Sequence, residues 1–157
     1  MSETPGPPTR LEKDSLGDIA VPADALYGAQ TQRGILNFPI TGWLPHPLLV
    51  AATVTVKKAA ALTNQQLGQL DDERTGAIVQ AADEVLAGQH RDQWRIDPFQ
   101  AGAGTSHNMN TNEVLANRAN EILGRPRGKY QPVNPNDHVN MAQSTNDVFP
   151  TSMRIAV

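Results

Sequence analysis

Three stretches of the chain place apolar residues at helical steps and stop at a glycine, a pattern that predicts a mainly α fold. After Pro47, Leu49, Ala52, Val56, Ala60, Thr63 and Leu67 recur every three or four residues, drawing one stripe on a helix that ends near Gly68. Asp71 or Asp72 caps a second helix, with Ile78, Ala82, Val85 and Leu86 inward and Gly88 as its stop. A third is predicted from Asn110 to Leu123, ending at Gly124, with Leu115, Ala119 and Ile122 inward. A fourth begins around Ser144–Asp147. Its apolar residues Met153, Ile155, Ala156 and Val157 meet no stop signal, so this helix is expected to continue in a longer chain. Aromatic residues make up only 4%, so the core must come from Ala, Leu, Val and Ile, which suits close helix packing.

The remaining segments punctuate these helices. Residues 1–9 are polar and Pro-rich and read as a disordered leader. Arg10–Asp14 and Ile19–Val21 flank Ser15-Leu16-Gly17-Asp18, the pattern of a small β-hairpin. Residues 22–46 contain Pro22, Gly28, Gly34, Pro39, Gly42 and Pro45, and read as loop and short turns. With 157 residues the chain is sized for one domain. The expected division is the leader 1–9, a helical domain over 10–143, and the start of a long helix over 144–157.

Composition excludes several functions. There is no cysteine, hence no disulfide and no thiolate chemistry, which fits a reducing cytoplasm. The four histidines, His46, His90, His107 and His138, lack the spacing of a metal site, so no metal and no cofactor is expected. Net charge is −3, and the one basic cluster, Arg125, Arg127 and Lys129, reads as a solvated loop and not a nucleic-acid footprint. No apolar run reaches the roughly 18–20 residues of a membrane span, and the start is not a signal peptide.

Two segments stand out from the helical background. The first is Gly102-Ala103-Gly104-Thr105-Ser106-His107-Asn108-Met109-Asn110. The second is Asn134-Pro135-Asn136-Asp137-His138, followed by Gln143-Ser144-Thr145-Asn146-Asp147. Both are rich in hydroxyls and amides, nearly free of Lys and Arg, and placed just before a helix. The first N–H groups of a helix lack partners and sit at the positive end of its dipole, so such a turn suits a carboxylate. Taken singly, Ser, Thr, Asn or Asp at such a place is more often only a helix cap. The Gly-Ala-Gly triplet is not a dinucleotide fingerprint, because no third glycine follows and no strand precedes it.

Gly104 through Asn117 resembles the first signature region of the fumarase/aspartase superfamily, and Asn134–Asn140 with Gln143–Asp147 resembles its second. Val21–Asp24, Tyr27–Thr31, Asn37–Pro39, Lys57–Ala61 and Ala81–Val85 are similar as well, so the likeness runs in order from about Arg10 to Val157. Gly104-Thr105-Ser106, Ser144-Thr145-Asn146 and Arg154–Val157 look more like an aspartate ammonia-lyase. Gly28–Arg33 and Ala116–Ala119 look like a class II fumarase. The balance favours the ammonia-lyase, with fumarate hydratase as the alternative.

The resemblance implies the amino-terminal helical domain of a lyase that forms fumarate, working as a cytoplasmic homotetramer on a small dicarboxylate without a cofactor. Ala103, Gly104, Thr105, Ser144, Thr145 and Asn146 are then expected to bind substrate. Asn134, Pro135, Asn136 and Asp137 match a secondary dicarboxylate site, although fumarases tend to carry His at the Asn134 position. Ser106, Asn108 and His138 are expected behind these contacts. The family's serine base lies on a Gly-Ser-Ser loop, and a further essential Thr–His segment follows it. Neither occurs in these residues, so this chain is expected to carry no catalytic residue of its own and to be inactive alone. Two rival readings remain: a truncated binding or assembly module, and a helical domain whose polar turns only cap helices.

Overall fold

Glycine closes each of the three helix boundaries anticipated from sequence. The computed structural model, which describes residues 8–157, contains α2 (Pro47–Gln66), α3 (Asp72–Leu86) and α4 (Thr105–Ile122). Beyond each, Gly68, Gly88 and Gly124 adopt left-handed φ of 69°, 94° and 70°, which lets the following N–H turn back onto the helix's last carbonyls. Thus Gln69 N donates to Asn64 O at 2.8 Å, Gln89 N to Glu84 O at 3.0 Å and Arg125 N to Asn120 O at 2.8 Å. Asp71 caps α3 by accepting from Arg74 N at 2.9 Å, so the first of the two candidate caps is the one used.

Ahead of these helices, β1 (Thr9–Asp14) and β2 (Gly17–Pro22) pair antiparallel, with Asp14 opposite Gly17 next to the turn. This is the hairpin read from sequence with longer strands: β1 starts one residue earlier, and β2 runs Gly17–Pro22 where Ile19–Val21 was expected, leaving Ser15-Leu16 as the turn. The leader assigned to residues 1–9 falls outside the described residues for 1–7, and Thr9 already belongs to β1. The stretch read as loop contains α1 (Ala29–Asn37), a correction. Its Gly34 obscured it in the sequence, and an added Cβ there would press on Ile96, so a small residue lets α1 lie close to its neighbours. The first N–H groups of α1 are satisfied from a distance. Glu113 accepts from Gly28, Gln30 and Thr31 at 2.9–3.0 Å, and Glu12 accepts from Ala29 at 3.0 Å.

α2 packs on α3, α3 on α4, and α5 (Thr145–Ala156) lies against both α2 and α4. The core is small-residue rich, with Ala61, Ala77, Ala81, Ala82, Ala116 and Ala119 buried beside Val54, Ile78, Trp94, Val114 and Leu115. Two expectations need correction. On α2 the buried line is Val50, Val54, Lys57, Ala61 and Asn64, whereas the expected Thr63 and Leu67 are exposed. The apolar stripe was misplaced because the buried face carries a lysine and an asparagine. On α3, Leu86 faces out while Thr75, Ala77 and Ala81 join Ile78, Ala82 and Val85 inside.

The helix α4 departs furthest from expectation. It begins at Thr105, five residues before the predicted start, and is buried on nearly all sides from His107 to Ala119. Its amides replace backbone partners for segments that have no regular structure. Asn117 Nδ2 donates to Leu26 O at 2.7 Å while its Oδ1 accepts from Gly128 N at 2.8 Å. Asn120 likewise holds both the O and the N–H of Val133, at 2.8 and 2.9 Å. Asn110 does the same for Gln93 O and Arg95 N. Asn110, Asn117 and Asn120 are tolerated in the core because each pairs with backbone that would otherwise go unsatisfied.

Candidate functional site

The two polar turns meet at the N-termini of α4 and α5. The first turn, Gly102–Gly104, leads directly into Thr105, and the second places Ser144 as the N-cap of α5, its Oγ accepting from Asn146 N at 3.3 Å. Asn108, one turn into α4, donates from Nδ2 to Thr145 Oγ1 at 3.0 Å, joining the two starts directly. Gly104 (φ 71°) lies flat against the ring of Phe149 on α5, so a side chain there would drive into that ring. Phe149 also sits edge-on to His107, with ring centroids 5.8 Å apart.

The residues expected to bind substrate lie on the outer surface of this junction. Ala103, Thr105, Ser144 and Asn146 are exposed, Thr145 is half-buried, and only Gly104 is buried. Thr105 Oγ1 donates to Gly102 O at 3.1 Å. Ala103 and Ala142, one in each turn, hold left-handed φ of 59° and 57°. Non-glycine residues enter that region at a cost of order 1–3 kcal/mol, and such strain gathers at ligand-binding turns.

Behind the exposed layer lies a buried polar one. Asn140 Oδ1 accepts from Lys57 Nζ at 2.7 Å and from Asn108 and Asn112 Nδ2, both at 3.2 Å. Lys57 Nζ also donates to Gln143 Oε1 at 2.9 Å. Burial pulls the Lys57 amine down to about 7. Asn108, expected from sequence behind the contacts, is buried and bonded to Asn140 and Thr145. Ser106 instead lies beside Gly34, its Oγ 3.6 Å from where a Cβ would stand on that glycine. His107 is buried, with Nε2 3.1 Å from Thr53 Oγ1, and burial followed by the nearby Lys57 holds its imidazole down to about 4. It is therefore neutral at ordinary pH. Sequence reasoning missed Lys57, Asn112 and Asn140 as parts of one cluster, since they come from three separated elements.

Asn134, Pro135, Asn136 and Asp137 form a second, distinct place. Asn134 Oδ1 caps the π-helical turn Pro135–Val139, accepting from Asn136 N at 2.8 Å and Asp137 N at 3.1 Å. His138 Nδ1 accepts from Asn134 N at 2.8 Å, and burial, then Arg74, lowers its pKa. Asn134, Asp137 and His138 line an open cleft of about 830 Å³ together with Arg74, Arg125, Lys129 and Tyr130. The basic cluster read as a solvated loop is thus divided: Arg125 and Lys129 turn into this cleft, and Arg127 pairs with Glu121. A separate cavity of about 750 Å³ is apolar, bounded by Trp43, Leu49, Val85 and Trp94, and includes none of the exposed turn residues.

This arrangement matches known proteins along most of the chain. The family model described as Lyase matches residues 17–157. An aspartate ammonia-lyase of Bacillus sp is 56% identical over 148 residues, covering 94% of this chain and 32% of the relative. A class II fumarate hydratase of Halobacterium salinarum is 60% identical over 147 residues, covering 94% of this chain and 31% of the relative. Among solved structures, a fumarate lyase:delta crystallin from Brucella melitensis matches with a TM-score of 0.92 and 53% identity, over 94% of this chain and 34% of that one. A class II fumarase from Schistosoma mansoni matches with a TM-score of 0.91 and 41% identity, over 95% and 32%. A mainly helical domain with two polar turns at paired helix starts is here a lyase domain. The chain belongs to the fumarase/aspartase superfamily of lyases, with the amino-terminal α-domain of the fumarase fold. It spans about a third of the length of the curated relatives it matches.

Proposed function

We propose that the whole protein is a lyase that eliminates ammonia from L-aspartate to give fumarate, with this chain supplying the turns that hold the substrate carboxylates. The observation that supports the reading is the direct bond between the two helix starts, Asn108 to Thr145, which ties the start of α4, where Thr105 lies, to the start of α5, where Ser144–Asn146 lie. In this reading Ala103, Gly104 and Thr105 grip one end of the diacid, and Ser144, Thr145 and Asn146 the other. When a base removes the proton next to a carboxylate, that carboxylate gains negative charge. Fixed donors aimed at it, the hydroxyls and amide of the two turns, stabilise the charge as it forms, helped by the positive ends of the α4 and α5 dipoles. By the family resemblance the base belongs to a serine loop outside this chain, the working unit is a cytoplasmic homotetramer, and the isolated chain is inactive. The cationic cleft at Asn134–Asp137 is a second dicarboxylate site, supported by Arg74, Arg125 and Lys129 around it.

A second reading, hydration of fumarate to L-malate, is favoured by the 60% identity to a class II fumarate hydratase. Offering the whole protein L-aspartate and L-malate separately, and following fumarate by its absorbance, separates the two. Fumarate from L-aspartate is the expected result. Turnover of L-malate alone transfers the assignment to the hydratase, and turnover of neither overturns both.

A further inference from the structure

Lys57 is a buried cation with no counter-ion. The residue is 0% exposed. Among the described residues its Nζ reaches two neutral oxygens, Asn140 Oδ1 and Gln143 Oε1, and no ion pair includes it. Ammonium groups are rarely buried unless paired, because neutral acceptors replace only part of their hydration. An apolar side chain on α2 would avoid that cost altogether. A lysine here makes physical sense when a negative charge arrives from outside the chain.

The geometry says where that charge would come to rest. Lys57 Nζ bonds Asn140 Oδ1, the same oxygen accepts from Asn108 Nδ2, and Asn108 Nδ2 also donates to Thr145 Oγ1. Asn140 Nδ2 donates in turn to Gln143 O at 3.1 Å, the residue just before Ser144. The amine is thus connected on one side to the first turn of α4 and on the other to the start of α5. Both helix ends are positive, so the cation and the two dipoles together favour an anion in front of Thr105 and Ser144–Asn146.

We propose that Lys57 is the positioning residue and counter-charge of this site, fixing Asn140 and the 140–145 turn from behind and balancing a carboxylate that binds in front of it. The inference rests on the dicarboxylate reading given above. Lys57 does not touch the ligand; it acts through Asn140, Asn108 and Thr145.

A consequence is that ligand binding and proton binding are linked. Burial holds the amine down to about 7. A bound dianion favours its charged form, so binding takes up a proton above that pH. Other charged groups on the elements packed against α2 are placed as follows. On α3, Asp83 pairs with Lys58, and Glu84 with Arg118 and His90. On α4, His107 is the group coupled to Lys57, and Glu113 is occupied by α1. The turn Pro135–Val139 carries Asp137 and His138, and α5 carries Asp147 and Arg154. His107 titrates far below the range in which Lys57 changes charge.

The test is calorimetry of succinate binding to the whole protein at pH 8, in buffers of different ionisation enthalpy. The unmodified protein is expected to take up close to about one proton per site, with affinity weakening as pH rises above 7. Lys57→Met is expected to bind at least about tenfold more weakly at pH 7 and to take up no proton. Asn140→Asp, which supplies Lys57 with a fixed carboxylate, is expected to abolish the uptake as well, and it remains informative should Lys57→Met fail to fold. Succinate binding without proton uptake, or with the same uptake in either variant, overturns the inference alone. Failure of the unmodified protein to bind succinate overturns the reading of the site, and this inference with it.

Discussion

Placing a methyl group on Gly104 tests whether the junction of α4 and α5 is as tight as the structure shows. Two costs add. Gly104 holds φ of 71°, where an alanine is disfavoured by about 1–2 kcal/mol. The new Cβ would also enter the ring of Phe149, and overpacking of this kind costs about 1–3 kcal/mol. Gly104→Ala is therefore expected to lower unfolding stability by roughly 2–5 kcal/mol, the sum of those two ranges. The change should also reach function, since relief comes only by shifting α5 away from α4. That shift lengthens the Asn108–Thr145 bond and misaligns Ser144–Asn146 with Thr105. The assay is urea unfolding together with kcat/KM for fumarate formation in the protein and in Gly104→Ala, Phe149→Leu and the double variant. Phe149→Leu shrinks the ring and should recover part of the steric share, leaving the backbone share behind, so the two changes should be non-additive. If Gly104→Ala is as stable as the unmodified protein, or if the two changes simply add, the close packing of the helix starts is refuted.

Four further outcomes follow from the same geometry. Thr145→Val, which removes a donor from the site while keeping its shape, is expected to cut kcat/KM on the order of 100-fold, and a loss under threefold would count against its role. Asn120→Ala strands the buried O and N–H of Val133 and should cost about 2–5 kcal/mol in urea unfolding; a cost below 1 kcal/mol would contradict the pinning role given to α4. Glu84 is held down to about 2, chiefly by its hydrogen bond from Arg118, so its stabilisation is complete above its unfolded value of 4.5 and disappears as pH falls through 2. Glu84→Gln should thus lower the thermal midpoint at pH 7 but not at pH 2, and equal losses at both would refute the pairing. Lys57 has the same sign in a higher window, since its folded pKa also lies below the unfolded one. The unfolded chain binds the proton more tightly between pH 7 and 10.5, so the cost of burying the ammonium is relieved, and stability rises, over that range. That rise should flatten in Lys57→Met, as read from urea midpoints across the range.

Much of this molecule is legible from local chemistry. The glycine stops at 68, 88 and 124, the Asp71 cap, the hairpin at Ser15-Leu16 and the start of α5 at Ser144 depend on one or two residues acting on their own backbone. The two polar turns were visible for the same reason. The short helix α1 was hidden because the carboxylates that cap it, Glu12 and Glu113, stand far from it in sequence. The face of α2 was misassigned because apolar periodicity has no means of marking a buried Lys57 or Asn64. Ser106 was grouped with the site by adjacency, whereas one residue is a turn of about 100° on a helix and carries it toward α1.

The sequence by itself determined the helical class, the ends of most elements, the membership of a lyase family and the hydroxyl- and amide-bearing turns, because each of these is written in contiguous residues. Only the tertiary structure decided the charge of both candidate sites. The turns are nearly free of cations along the chain, yet Lys57 from α2 stands behind one, and Arg74, Arg125 and Lys129 surround the other. Coulomb energy depends on distance in space and on exclusion from water, and neither exists until the helices have packed.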